Sequence, residues 1–304
     1  MSAADTAPAV RARRRGPDWS RIGWGVAGVL LLGLLWEGYK AIGPEDGLVI
    51  GGVRVLPRTS DLAMPHIWEI FIRISEGTTS SSRSEPLWLD VLLACAVTLG
   101  IAAVGWLVGL VIGMALALLM QRWKLAEAAV LPWVVLSQTV PLIAFAPLVK
   151  TWGSQIEIGD FEWADWMSVA VIASYLAFFP IAIGALRGLN SPDAIHNELF
   201  RSYAAGWSKT LIRLRLPAAV PYLLPALRLA AANAVVGAVV AEVSTGMQGG
   251  IGRMLVTFAG QASGDPEKAW APIIGAVLLG LIAAGSVGIL GMILKNYRRA
   301  EVNA

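Results

Sequence analysis

The 304-residue sequence predicts an all-α, polytopic membrane protein of about six spanning helices, and three observations carry that prediction. Apolar residues make up 56% of the chain and charged residues 15%, against about 45–50% and about 25% in soluble domains. Mean hydropathy is +0.64, which excludes the two water-facing domains that the length alone would allow. Six segments, 22–43, 91–120, 128–149, 166–186, 223–243 and 272–294, each reach the length of about 20 mostly apolar residues that a helix needs to cross the hydrocarbon. The 13 tryptophans, 16 prolines and 32 glycines agree with this, because membrane helices tolerate Gly and Pro and Trp favours the interface. Cys95 is the sole cysteine, so no disulfide framework or thiolate cage is available, and it reads as a buried apolar filler. His66 and His196 are the only histidines and lie far apart, which argues against a His-based catalytic or metal centre.

The first segment, 22–43, follows a tail (1–21) carrying Arg11, Arg13, Arg14 and Arg15. No A-x-A cleavage site follows, so the segment is expected to be a retained anchor rather than a signal peptide. Glu37 and Lys40 fall in its last turns and are expected at headgroup level. Orientation follows from Lys and Arg. With both termini cytoplasmic, the inside pieces hold 15 basic residues in 74 positions and the outside pieces 7 in 91. The net charge of +3 is accounted for by this topology signal and argues for no nucleic-acid partner.

Residues 44–90 form the longest outer connection. Within it, 50–60 read as turn and short extended structure and 65–76 as an interfacial helix, with 78–82 a Thr/Ser link. A core of membrane spans is expected over 91–294, followed by a cytoplasmic tail, 295–304. The second span contains 30 residues, Val91 to Met120, without a charge. That is about 45 Å of helix, so it must tilt, break or begin at the interface. Gly105, Gly109, Gly113 and Ala117 recur along it every four residues, a pattern that permits close helix contact. Packing within the chain is the preferred reading and a seam with a second copy the other.

Pro132, Pro141 and Pro147 are expected to kink or break the third span, and backbone groups freed there need protein or water partners. Ser137, Gln138 and Thr139 are thus candidate pore-lining residues, with simple interhelical bonding as the alternative. Asn233 in the fifth span joins them. Glu242, at that span's outer end where an acid can reach water, is either a gate or substrate contact or a capped interfacial carboxylate. Arg228 is expected to snorkel to the cytoplasm. The second outer loop gathers Glu157, Asp160, Glu162 and Asp165 around Trp163 and Trp166, an acidity that suits the outer face.

The inner loop 187–222, centred on 190–220, is too long for a hairpin and carries helix punctuation. Ser191-Pro192-Asp193 offers a start, Gly206 a stop, and Ser208 a cap for a second short helix, 209–216, that meets Pro217. This is a helix-turn-helix on the cytoplasmic surface.

Here the sequence resembles the permease subunits of bacterial ATP-binding-cassette (ABC) importers. Their EAA loop reads Glu-Ala-Ala, three residues, Gly, nine residues, an aliphatic, one residue, Leu-Pro. Glu198-Leu199-Phe200, Ala204, Leu214 and Leu216-Pro217 fall at that spacing. Two departures stand out: Leu-Phe replaces Ala-Ala, and Ala204 occupies the turn glycine's place. Pro132, Pro141, Ala144, Pro147-Leu148, Trp152-Gly153, Phe179-Pro180-Ile181, Gly188, Leu227-Arg228-Leu229 and Ala241-Glu242 resemble the nitrate/sulfonate/taurine branch, and the likeness covers roughly 90–295. Arg201–Ala205 and Ser244–Arg253 are most similar to permeases for thiamine precursors, pyrimidines and riboflavin.

The resemblance implies a type I importer permease in the bacterial inner membrane. It implies no catalytic residue and no bound cofactor, since ATP would belong to a partner ATPase dimer; no G-x-x-x-x-G-K-[ST] loop occurs in the chain. Implied partners are that ATPase dimer, an extracytoplasmic solute-binding protein and a second permease, identical or homologous. Coupling to the ATPase would fall to Glu198, Arg201, Ser202, Ala204, Gly206, Leu216 and Pro217, with His196 on the same surface. The alternative is a secondary transporter driven by an ion gradient, against which stands the lack of an acid in the middle of any span. An intramembrane enzyme lacks the needed His or metal constellation.

Overall fold

The structure, a computed structural model, describes residues 19–77 and 85–293. The arginine cluster 11–15, the 78–82 link and the tail 295–304 lie outside the described residues. The chain divides into two compact units, one ending at Glu69 and the other beginning at Ile70.

In the first unit, α1 (Trp19–Ile42) is followed by a hairpin of β1 (Leu48–Ile50) and β2 (Val53–Leu56). Gly51 and Gly52 close it with φ of 59° and 82°, the left-handed pair that a two-residue hairpin turn requires. This matches the expected turn and extended structure. The polar end of α1 is used locally. Glu37 accepts from the Ile67 backbone N–H at 2.8 Å and lies 2.7 Å from His66 Nδ1, while Lys40 donates to Asp61 and to the Met64 carbonyl, both at 2.6 Å. The hydrogen bond from Lys40 holds the Asp61 carboxyl below its ordinary range. The two charges that weakened the first span's apolar pattern therefore fasten the start of α2 (Ile67–Ser75) and the segment before it. On α2, Trp68, Phe71 and Ile72 stay exposed.

The second unit contains α3 (Leu87–Arg122), α4 (Lys124–Leu136), a 3₁₀ turn (Ser137–Thr139), α5 (Leu142–Gly153), a small hairpin of β3 (Glu157–Ile158) and β4 (Phe161–Glu162), and α6 (Asp165–Leu189). Then come α7 (Ala194–Ser202), α8 (Trp207–Thr210), a π-turn (Leu211–Arg215), α9 (Leu216–Thr245), α10 (Ile251–Ala259) and α11 (Trp270–Ile293). Among the described residues, five helical runs are long and apolar enough to cross a membrane, and a sixth crossing results if α4 and α5, bent by 103°, form one broken span. The fold is thus the expected all-α, polytopic one. Of the three options for the second span, breaking is removed, because α3 is continuous over 36 residues.

The core is built on α3, α6 and α9, with α5 and α11 packed against them. Small residues permit it. A methyl group added at Gly105 would strike Ala173, and one at Gly109 would lie 2.8 Å from Ala177; at Gly113 it would reach the Phe178 carbonyl at 2.7 Å. Every glycine of the four-residue repeat therefore faces α6 of the same chain, which settles the stripe as internal packing. Gly184 and Gly188 of α6 meet Ala226 and Ala219 of α9 in the same way. At the far end, Lys150 bridges Asp165 at 3.0 Å and the Thr245 carbonyl at 3.1 Å, joining α5, α6 and α9.

Candidate functional site: a surface turn, a broken span and a buried acid

The loop between α6 and α9 forms a helix-turn-helix, with two corrections to the sequence reading. First, α7 ends at Ser202, short of the expected stop at Gly206, and the left-handed residue is Ala204 (φ 49°), whereas Gly206 is extended at φ −66° and ψ 164° and precedes α8. The Ala205 N–H donates to the Phe200 carbonyl and the Ala204 N–H to the Arg201 carbonyl, both at 2.9 Å. That is the paired closure of a Schellman turn, with Ala204 at the position usually given to glycine. Gly206 is not the helix stop, because the closure is set by the carbonyls of the last helical turn, which reach only to residues 204 and 205. Second, Pro217 does not end the following helix. The π-turn Leu211–Arg215 shifts the bonding register just before it, so a proline with no N–H enters the first turn of α9 and the helix runs on to Thr245.

The outward face of α7 is apolar where solvent should favour polar groups. Ile195, Leu199 and Tyr203, spaced four apart, are 71%, 49% and 78% exposed. Glu198, Arg201 and Ser202 are exposed beside them. Leu216 and Pro217, half-buried, belong to the N-terminal end of α9. The turn is anchored from behind. Trp207 Nε1 donates to Gln121 Oε1 at 3.2 Å, Arg122 lies over the Trp207 ring at 5.5 Å, and Leu211 is buried beneath.

The third span breaks where its prolines indicated. Pro141 has no N–H to give the Ser137 carbonyl four residues before it, and Tyr175 of α6 supplies a hydroxyl in its place. Ser137 Oγ donates to the Val134 carbonyl at 2.7 Å and Thr139 Oγ1 to the Leu136 carbonyl at 2.8 Å. Both hydroxyls are thus committed to the turn itself. Gln138 Nε2 reaches Ser137 Oγ at 3.2 Å. Asn233, on α9, is half-buried and extends toward the Leu176 carbonyl at 3.4 Å.

Glu242 is not the water-reaching acid the sequence reading made it. It is 0% exposed and lines no surface in this conformation. One carboxyl oxygen accepts from Thr98 Oγ1 at 2.8 Å and the other from the Gly252 N–H at 2.7 Å; Thr98 Oγ1 also accepts from the Ile251 N–H at 2.9 Å. Glu242 and Thr98 together satisfy the first N–H groups of α10, a helix absent from the sequence reading. Only Gly250 and Gly252 allow the chain this close, since a methyl group at either would collide with Glu242. The signal was present in Gly249-Gly250 followed by an apolar run, but nine residues are too few to register as a span.

The comparisons with known proteins fit this architecture. Residues 109–298 match the family of binding-protein-dependent transport system inner membrane components. The formylaminopyrimidine transport permease protein ThiX of Halalkalibacterium halodurans is 31% identical, over 90% of this chain and 94% of its own. The putative aliphatic sulfonates transport permease protein SsuC of Bacillus subtilis is 28% identical, over 94% and 92%. Among solved structures, an amino acid ABC transporter chain superposes with a TM-score of 0.51 at 16% identity, covering 69% of this chain and 94% of its own, a likeness of fold. The chain belongs to the binding-protein-dependent transport inner-membrane family. It is a multi-pass permease subunit of an ABC transport system, not an enzyme, and the family in general works with an ATPase and a solute-binding protein. The ion-gradient alternative is set aside on the same grounds.

Proposed function

We propose that the chain forms half of the membrane path of an importer for a small nitrogen heterocycle of the pyrimidine class, and that α7 is its ATPase-docking helix. The substrate class rests on the match to ThiX, which runs nearly the full length of both chains. The docking assignment rests on the unpartnered apolar stripe Ile195, Leu199 and Tyr203, held out by the Ala204 turn at the spacing of the EAA pattern. Glu198, Arg201 and Ser202 flank the stripe, giving it a polar rim. Both termini and α7 are cytoplasmic by the Lys/Arg bias. A second permease, identical or homologous, completes the path, and the binding protein delivers solute on the opposite face.

Transmission follows from the attachments behind the turn. The α8 helix continues through the π-turn into α9 and is tied to the end of α3 through Trp207 and Gln121. A displacement of α7 by closing ATPases therefore moves two core helices as a body. Along the path, Gln138 and Asn233 are the strongest candidates to contact solute, because both side-chain amides keep bonding capacity beyond their single contacts.

Affinity capture of the tagged chain from solubilised native membranes tests docking, alongside Glu198→Arg and Gly206→Asp. Gly206 faces open space and is not in the left-handed region, so an aspartate there adds charge without disturbing the turn. The expected result is an ATPase recovered with the wild type and lost from both variants. Repeated capture without any ATPase would sink the docking assignment. Uptake of a labelled pyrimidine by the reconstituted complex, against an aliphatic sulfonate, tests the substrate.

A further inference from the structure

On the second unit, a cleft of about 200 Å³ opens between three apolar helices. It is lined by Leu99, Ala103 and Trp106 of α3, Ala231 and Val235 of α9, and Ser286 of α11. The lining is dry. Ser286 Oγ is turned onto the Ala283 carbonyl at 2.8 Å, and Trp106 Nε1 onto the Leu227 carbonyl at 3.2 Å. Ala103 and Ser286 stand exposed at its margin, so the cleft opens sideways from the helices.

A cation sits at one end. Arg228 lies one turn before Ala231 on α9 and is exposed; its guanidinium comes no closer than 3.5 Å to the Gly288 carbonyl of α11, beside the cleft-lining Val287. Among the described residues no carboxylate lies within ion-pair distance of it. Depth follows from helix length. Arg228 stands 17 residues before the end of α9, about 25 Å of rise, and Gly288 stands 18 residues after the start of α11, about 27 Å. With a hydrocarbon core of about 30 Å, both helices put the guanidinium near the headgroup boundary on the side of the α7–α8 turn. The cleft occupies the hydrocarbon immediately beyond it.

We infer that this cleft is a binding site for an anionic phospholipid of the leaflet on the α7–α8 side, with an acyl chain between α3, α9 and α11 and the phosphate on Arg228. The apolar walls take a chain that no water-soluble ligand could supply at that depth. The guanidinium, which faces no carboxylate among the described residues, selects charge, because a zwitterionic lipid carries its own ammonium to compete for the phosphate. The site is separate from α7 and from the broken span, and it touches α3 and α9, the helices that the α7–α8 turn is attached to.

The test uses the purified, delipidated full chain in detergent, titrated with dioleoyl phosphatidylglycerol or dioleoyl phosphatidylcholine, with retained lipid counted by native mass spectrometry. Wild type is expected to hold one phosphatidylglycerol, roughly fivefold more strongly than phosphatidylcholine. Arg228→Gln should erase that preference and Arg228→Lys should keep it. Ala103→Phe, filling the cleft from its open side, should reduce retention of both lipids; Ser286→Phe does the same from α11 should the first variant fail to fold. Thermal midpoints in lipid-free detergent report folding of each variant. Equal retention of the two lipids by wild type overturns the proposal, as does an undiminished preference in Arg228→Gln. A cleft closed instead by a second permease copy would show itself as retention indifferent to headgroup and to both phenylalanines, which also overturns it.

Discussion

Thr98 Oγ1 donates to Glu242 Oε1 at 2.8 Å, joining α3 and α9 across 144 residues of sequence inside a part of the protein that water does not reach. The same hydroxyl oxygen accepts the Ile251 N–H. Replacing Thr98 by Val keeps the shape and leaves a carboxyl oxygen and a backbone N–H short of a partner at once. A buried polar group without its partner costs about 1–3 kcal/mol. Thr98→Val is therefore expected to lower the thermal midpoint and speed hydrogen exchange at Ile251 and Gly252, while Thr98→Ser restores both. Unchanged exchange at those two amides would show that α10 does not depend on this bond.

The Ala204 turn carries a cost that can be removed. An L-residue with a side chain pays about 1–2 kcal/mol in the left-handed region, and glycine pays none of that steric term. Ala204→Gly is expected to stabilise the closure of α7 by about 1 kcal/mol, visible as slower hydrogen exchange at Ala204 and Ala205, with ATPase capture retained. Ala204→Val should act in the opposite direction. Gly206→Ala should be nearly silent for stability, because the backbone there is already extended and faces open space.

How much of this was legible beforehand depended on whether a feature is set by local sequence or by what folds over it. The spans were legible because length and apolarity alone decide them, and the break at Pro141 because a missing N–H is a local fact. The position of the turn residue was legible in the spacing from Glu198 to Ala204. Residue preference pointed instead to Gly206, and the carbonyls at the end of α7 overruled it. Glu242 was misjudged for a different reason. Counting along α9 gives depth, but its burial comes from Gly249 (φ 87°), Gly250 and α10 turning back over it, a tertiary event with no periodic signature. Likewise Glu37 and Lys40 read as charges merely tolerated at a span's end, and their partners His66, Ile67, Asp61 and Met64 lie more than 20 residues away.

The interface between α3 and α6 should resist any added volume. At Gly109 a methyl group would approach Ala177 at 2.8 Å and the Ser174 carbonyl at 3.0 Å, so the opposing wall is partly backbone and cannot move aside cheaply. Overpacking of this kind costs about 1–3 kcal/mol. Gly109→Val is expected to reduce the yield of folded, detergent-stable protein, and the paired change Ala177→Gly should recover part of it. Gly100, with open space around it on the same helix, is the control: Gly100→Ala should be neutral or slightly stabilising.

The bond from Tyr175 to the Ser137 carbonyl makes the sharpest prediction about the broken span, because the reason for it is a single missing hydrogen. Pro141 cannot donate to Ser137, so the carbonyl takes the Tyr175 hydroxyl from α6 beside a long bond of 3.4 Å from the Val140 N–H. Tyr175→Phe removes only that hydroxyl; the ring keeps its neighbours Phe145 and Phe178 at 5.4 and 5.9 Å between centroids. The carbonyl is then left half-buried with only a long bond of 3.4 Å from the Val140 N–H, at a cost of about 1 kcal/mol. Pro141→Ala returns an N–H four residues from Ser137 and gives the carbonyl a further possible donor. In the double variant the loss of the tyrosine hydroxyl is therefore expected to matter less, with a coupling of about 1 kcal/mol in a double-mutant cycle of thermal stability. Strict additivity would mean that the hydroxyl supports the bend in some way unrelated to the proline. A path that bends here should also respond in transport, with Tyr175→Phe slowing uptake more than it weakens ATPase capture, since α7 lies outside the altered region.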